Sequence, residues 1–198
     1  MEDMMEEKRR VEWFNNVFAK ALPILDNVKK GFLAQKLDIV RENKEEFREM
    51  LKSLVASVQK IIDEKDKTEV QKQYLTLIPA FQTIGLAMEN LISKMETKLE
   101  LKILLSEKAL AEIKELYTIL EEQFRDTRDY MTTKNPVLKA GIKANWEKIF
   151  TLVDEYAIIH QNRLIAGVCV PQASYLYLDI VDSIKRISRG LLDFAEKV

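Results

Sequence analysis

Apolar residues recur at steps of three and four along nearly the whole chain, which is the period of an amphipathic helix. Six stripes of this kind follow one another, and no stretch alternates with the period of two that is typical of a strand. The stripes cover residues 14–32, 33–61, 70–95, 110–131, 146–164 and 177–198. The pattern therefore predicts an all-α protein of six long helices.

Turn and cap signals lie between the stripes. They are Gly31-Phe32 after the first helix, Thr68 as N-cap of the third, Ser106 as N-cap of the fourth, and Pro136 and Pro171 at the first positions of the fifth and sixth. Pro23 and Pro79 fall inside stripes, where kinks are expected. Short turns between long helices predict an elongated antiparallel bundle, with residues 1–198 as one domain.

The stripes also contain a faint internal repeat. Phe47, Leu51 and Leu54 align with Trp146, Phe150 and Val153 at an offset of 99, and residues 81–91 match residues 184–194 at an offset of 103. Two copies of a three-helix unit, about residues 1–102 and 103–198, describe this pattern most simply.

Composition excludes several classes of partner. Of the 198 residues, 31 are Lys or Arg and 32 are Asp or Glu, with no basic half or acidic tail, so neither nucleic acid nor an anionic membrane is expected to bind. The longest uncharged stretch, residues 73–88, is shorter than the roughly 20 apolar residues of a spanning helix, and we expect it to be a buried helix. Cys169 is the single cysteine and the N-terminus does not resemble a signal peptide, so a cytoplasmic location is expected.

Few residues could carry chemistry, and we expect no enzyme activity. His160 is the one histidine, it lies on an apolar stripe, and we expect it to be a core residue hydrogen-bonded to a neighbour. Tyr175 and Tyr177, beside Asp179 and Asp182, are expected to anchor a helix end with their hydroxyls reaching water, and a ligand site is the alternative. The phosphate-cradling motifs GxGxxG and GxxxxGK[ST] do not occur.

One family resemblance is specific in the last third of the chain. Residues 160–171 read His-Gln-Asn-Arg-Leu-Ile-Ala-Gly-Val-Cys-Val-Pro, and residues 177–180 read Tyr-Leu-Asp-Ile. Together these segments resemble the PhoU-like domain, above all the version appended to bacterial sodium/phosphate cotransporters. In the first repeat, Ile84-Gly85 and Glu89-Asn90-Leu91 are similar to the family pattern Ile-Gly-Asp-x-x-Glu-Asn-Ile. The family fold, two repeats of a three-helix bundle, agrees with the six stripes.

The resemblance also implies a metal motif from which this sequence departs. The family carries Glu/Asp-x-x-x-Asp on the third helix of each repeat, a spacing that sets two carboxylates on one helical face. The matching positions here are Gln82 and Leu86 in the first repeat and Lys185 and Arg189 in the second. Neutral and cationic side chains cannot hold such a cluster, so no metal and no other cofactor is expected.

The resemblance implies a regulatory or adaptor protein of phosphate transport or phosphate signalling, which acts by contact with a transporter or a signalling protein. A homodimer is left open. One alternative is an anion or phosphate sensor that binds through Lys185, Arg186 and Arg189, because guanidinium groups grip phosphate bidentately. The simpler interpretation of these cations is pairing with Asp182 or Asp193 on an exposed face. A metal-free scaffold related to a transporter's cytosolic domain is the remaining alternative.

Overall fold

The computed structural model describes residues 2–167 and 169–198, with side chains from residue 12 onward. These residues form six α-helices and no strand. In chain order the helices are α1 (Glu2–Leu33), α2 (Leu37–Asp63), α3 (Glu69–Glu100), α4 (Glu107–Thr133), α5 (Pro136–Ile165) and α6 (Pro171–Lys197). The predicted all-α fold of six long helices is confirmed.

Three of the predicted helix starts carry side-chain caps, and two of these caps, Thr68 and Ser106, were predicted. The Thr68 hydroxyl accepts a hydrogen bond from the Gln71 amide, and the Gln71 side chain accepts one from the Thr68 amide. The Ser106 hydroxyl accepts a bond from an amide in the first turn of α4. Asn135 caps α5 in the same way, with Pro136 at its first position. Because the first amides of a helix have no partner within it, these side chains stabilise the starts that the sequence indicated.

The first turn differs from the prediction. Gly31 does not separate α1 from α2, since α1 continues to Leu33 and the chain turns at residues 34–36, where Gln35 takes a left-handed conformation with φ of 56°. A Cβ atom on Gly31 would lie 3.0 Å from Ile39 Cγ2 and 3.1 Å from Val40 Cγ2. Glycine at this position therefore allows α1 and α2 to approach closely near their shared turn.

Helix contacts divide the bundle into two units. Helices α1, α2 and α3 pack against one another as the first unit, and α4, α5 and α6 do so as the second. The units meet through α3 against α6, which is the most extensive contact in the bundle, and through α1 against α4. Helices α2 and α5 each pack only within their own unit, which leaves them on the flanks.

The centre of the core is aromatic. Phe14 and Phe18 of α1, Phe81 of α3 and Phe194 of α6 form a cluster in which the rings of Phe81 and Phe194 lie 5.1 Å apart, edge to face. Phe18 reaches Phe124 of α4 at 5.9 Å. These contacts join both units, so the two halves share one hydrophobic core.

Among the described helices, α3 alone is long and apolar enough to cross a membrane by length and composition. Its residues Ile84, Met88 and Leu91 are buried against the other helices of the bundle. Residues 73–88 are thus helical and lie inside α3, but only one face of this stretch is buried, since Gln82 and Leu86 are exposed.

Candidate functional site

The basic face predicted from the sequence consists of Lys185, Arg186 and Arg189 on α6. Arg186 pairs with Asp182 at 2.7 Å and Arg189 with Asp193 at 2.8 Å, both one turn away on the same helix. Lys185 pairs across the unit, with its Nζ 2.6 Å from Asp154 Oδ1 of α5. Each cation of the face thus has a carboxylate partner within the chain.

Two of these cations also cover aromatic rings of α5. Lys185 Nζ lies 3.9 Å from the centroid of the Phe150 ring, and Arg189 Cζ lies 5.2 Å from that of Trp146. A cation over an aromatic face is attracted by the ring quadrupole, and its hydrocarbon stem covers apolar surface. The basic face therefore closes the surface between α5 and α6. That it also binds an anion or an acidic partner stays a prediction.

The equivalent surface of the first unit is open. The repeat offsets relate Lys185 to Gln82, Asp154 to Val55 and Phe150 to Leu51, so the ion pair and the ring of the second unit are replaced by shorter, uncharged side chains. Arg189 corresponds to Leu86, which is 68% exposed, as is Val55. Gln82 and Leu86, the positions of the first repeat that match the family's metal motif without keeping its carboxylates, thus lie on the rim of a cleft between α1, α2 and α3.

This cleft has a volume of about 590 Å³ and reaches into the core. Its floor includes Phe18, Phe47, Met88 and Phe124, none more than 2% exposed. Among the side chains that the structure describes, from residue 12 onward, no charged one lines the cleft, and Gln59 and Gln82 contribute the only amides. A pocket of a few hundred Å³ that is mostly apolar, with few polar groups, is the usual form of a small-molecule site.

The cleft is not predicted by the pattern of apolar residues. The stripe of α2 runs from Leu37 to Ile61 with Lys44 as its single interruption, yet the buried residues of α2 are Val40, Asn43 and Phe47, all in its first half. The sequence signal that could have indicated an open surface is the presence of apolar residues beside the stripe. Val55 and Ile62 are such residues, and both are exposed in the structure.

A polar cluster lies between the three helices of the second unit. Glu112 Oε2 of α4 accepts hydrogen bonds from Arg163 Nη2 of α5 at 2.7 Å and from the Tyr177 hydroxyl of α6 at 2.6 Å. The His160 ring stacks on Tyr177 with centroids 4.5 Å apart. These four residues lie on three helices, so the cluster fixes how α4, α5 and α6 pack.

His160 is buried as predicted, with 3% of its surface exposed, but the expected hydrogen bond is not found. Neither ring nitrogen has a hydrogen-bond partner among the described residues. Burial, and then the nearby Arg163 charge, lower the pKa of His160, while Glu112 acts in the opposite direction. His160 is therefore held neutral by its surroundings, with the Tyr177 ring rather than a hydrogen bond as its main contact.

We expect this histidine to make stability depend on pH. Because its pKa is lower in the folded chain than the unfolded value of about 6.5, only the unfolded chain gains a proton between the two pKa values, so the free energy of unfolding falls on acidification. The loss is about 1.4 kcal/mol per pH unit in that window, and the full stability is present above it. Urea unfolding at pH 7.5 and 5.5 should show a smaller decrease for His160→Phe, which keeps an aromatic ring on Tyr177, than for the wild type. Equal decreases would contradict this assignment.

The tyrosine and carboxylate group at the start of α6 separates in the structure. Tyr177 is buried and donates to Glu112, so the prediction that its hydroxyl reaches water is wrong, whereas Tyr175 is exposed. Asp179 pairs with Lys94 of α3 at 2.6 Å, and Asp182 with Arg186. The described residues contain no group of three or more His, Cys, Asp or Glu side chains that could hold a metal ion.

One end of the bundle carries exposed apolar side chains. The α3–α4 and α5–α6 connections meet there, where Ile103 packs in a buried cluster with Ala173 and Leu176. Five residues in or next to these two connections are 57% to 83% exposed, and we name them the apolar end: Leu101, Leu104, Ile165, Val170 and Tyr175. Exposed apolar residues grouped in this way are typical of interaction surfaces.

Comparison with known proteins assigns no family. No protein-family model, no curated protein and no solved structure matches the chain. The fold and the surfaces described above define a helical-bundle protein with an apolar cleft and an apolar end, and the resemblance to the PhoU-like domain stays a prediction from the residues quoted for it.

Proposed function

We propose that the chain is a non-catalytic, PhoU-like regulatory or adaptor protein of phosphate transport or phosphate signalling that acts by contact with another protein. The observation that carries the contact is the apolar end, where Leu104 of the α3–α4 connection and Tyr175, near the start of α6, are both strongly exposed. Such residues gain most when a partner removes them from water. The phosphate context comes from the family resemblance alone.

The charges around the apolar end favour a protein over an anionic membrane as the partner. Glu100 and Glu107 flank the α3–α4 connection together with Lys102. Anionic lipid is recognised by clusters of cations, whereas a rim of mixed charge around an apolar centre is typical of protein interfaces. We therefore assign this surface to a partner protein, with the cytosolic segment of a phosphate transporter as the first candidate.

Calorimetric titration with such a segment tests the proposal. Leu104→Ser/Tyr175→Ser removes two large side chains from the apolar end, and Val137→Ser, 73% exposed at the start of α5, is the matched control at the opposite end of the bundle. We expect the wild type and the control to bind equally and the double variant to bind about tenfold more weakly or worse. Equal affinity in all three proteins, or no binding by the wild type, would contradict the proposal.

Two further measurements separate the alternatives. Phosphate titrated against the wild type and Lys185→Ala/Arg189→Ala would identify an anion sensor if binding is present and is lost in the variant. Light scattering would assign the apolar end to a second copy of this chain if the wild type is a dimer and Leu104→Ser/Tyr175→Ser is a monomer. For a partner-binding adaptor we expect neither result.

A further inference from the structure

The cleft of the first unit is separate from the apolar end and needs its own explanation. We propose that it binds a small, uncharged, mainly hydrocarbon molecule of the long-chain alcohol type. This inference does not depend on the proposed adaptor function, because Leu104 and Tyr175 do not line the cleft.

The lining determines the charge of the ligand. No Lys, Arg, Asp or Glu among the described side chains lines the cleft, so a charged group carried inside would lose its hydration without gaining a partner from them. Gln59 Nε2 already donates to Asp63 at 2.8 Å, whereas the Gln82 amide makes no hydrogen bond with the described residues. An uncharged hydrocarbon body avoids this loss of hydration, and one hydroxyl directed towards Gln82 gives the Gln82 amide a hydrogen-bond partner.

The depth of the cleft favours a small molecule over a helix of another protein. Phe124, which belongs to α4 of the second unit, contributes to the floor, so the space extends through the first unit. A helix with its side chains is about 10–12 Å across and would lie on the rim formed by Val55 and Leu86, leaving the floor unfilled. A flexible chain of single-atom width can enter between α2 and α3.

The repeat offsets relate residues that line the cleft to residues of α5 and α6 that contact one another in the second unit. There, the Phe150 ring occupies the position of Leu51, Lys185 lies over that ring in the position of Gln82, and Asp154 holds Lys185 from the position of Val55. The first unit lacks the ring, the long stem and the ion pair. We infer that a ligand supplies the apolar contacts that the second unit makes with its own side chains.

The same comparison provides the closing variant. Leu51→Phe/Val55→Asp/Gln82→Lys transfers the filling residues of the second unit to the first, and Leu86→Arg, at an exposed position, is a milder substitution that transfers the equivalent of Arg189. Leu104→Ser/Tyr175→Ser is the matched control, because it removes apolar surface while leaving the cleft intact. Circular dichroism checks that each variant is folded.

The probe is N-phenyl-1-naphthylamine, an uncharged dye that fluoresces in apolar surroundings, with dodecanol and dodecanoate as competitors. We expect the dye to bind the wild type and the apolar-end control equally, and both closing variants about tenfold more weakly. Dodecanol should displace the dye at lower concentration than dodecanoate, because the two chains are matched and only the second is charged.

Several results would overturn the inference. They are unchanged dye affinity in a folded closing variant, loss of binding in the apolar-end control, or displacement by dodecanoate as effective as by dodecanol. If the triple variant does not fold, Leu86→Arg alone decides. A wild-type dimer that the closing variants convert to a monomer would assign the cleft to a second copy of the chain. None of these outcomes depends on binding of a transporter segment, so the two proposals can fail separately.

Discussion

Replacement of Gly190 by valine is expected to destabilise the protein by about 2–3 kcal/mol, because the new side chain would be forced between α3 and α6. A Cβ atom at this position would lie 2.6 Å from Ile84 Cγ1, 3.3 Å from the Ile84 amide nitrogen and 3.4 Å from the Ala80 carbonyl oxygen. Ile84 and Ala80 are buried, so neither helix can yield without disturbing the main contact between the units. Urea or thermal unfolding measures the loss.

Gly141→Ala is the control for this prediction. Gly141 also lies inside a helix, but its added Cβ would meet the carboxylate end of Asp126 at 3.1 Å, and this side chain can turn away. Since alanine is favoured over glycine in a helix interior by about 1 kcal/mol, we expect no loss of stability. Equal destabilisation by the two substitutions would show that the α3–α6 approach is not the cause.

Truncation of Phe194 to alanine is expected to cost about 3–5 kcal/mol, the usual range for a buried phenylalanine. Its ring is fully buried and lies 5.2 Å from Phe14, 5.4 Å from Phe18 and 5.1 Å from Phe81. The cavity would open where α1, α3 and α6 meet, and these helices cannot collapse into it without breaking the other aromatic contacts.

Phe150→Ala provides the comparison, because this ring is 43% exposed and contacts Lys185 at the surface. We expect a loss of about 1 kcal/mol or less from the contact with the cation and from partial burial. Chemical denaturation of the two variants should therefore give clearly different midpoints with similar slopes. A small effect of Phe194→Ala would contradict the proposed common core of the two units.

Local signals were sufficient for the elements of the fold. Helical periodicity predicted six helices, and Thr68, Ser106 and Asn135-Pro136 marked starts that the structure confirms. Gly31 was misinterpreted, because glycine serves both helix ends and close helix approaches, and the sequence does not distinguish the two. The turn instead uses Gln35 in the left-handed conformation, which a side chain other than glycine takes only occasionally.

The candidate sites depended on neighbours that are distant in sequence. Lys185 could be placed on an exposed face, but its partners Asp154 and Phe150 belong to another helix and no spacing rule identifies them. Tyr177 and His160 were both recognised as notable, yet only the packing of α4 against α5 and α6 brings Glu112 to the Tyr177 hydroxyl. Buried contacts of this kind decide whether a polar residue is structural or available.

The secondary structure and the order of the helices thus follow from the sequence, because helix period, caps and turns are properties of neighbouring residues. That the two halves are repeats of one unit stays a prediction. The cleft of the first half, in contrast, depends on how side chains of α1, α2 and α3 meet in space, and the packing of these helices alone reveals it. The same stripe can pack tightly or leave space, depending on the volumes of side chains on facing helices. Leu51 and Gln82 line the cleft, whereas Phe150 and Lys185, at the corresponding positions of the second half, contact each other.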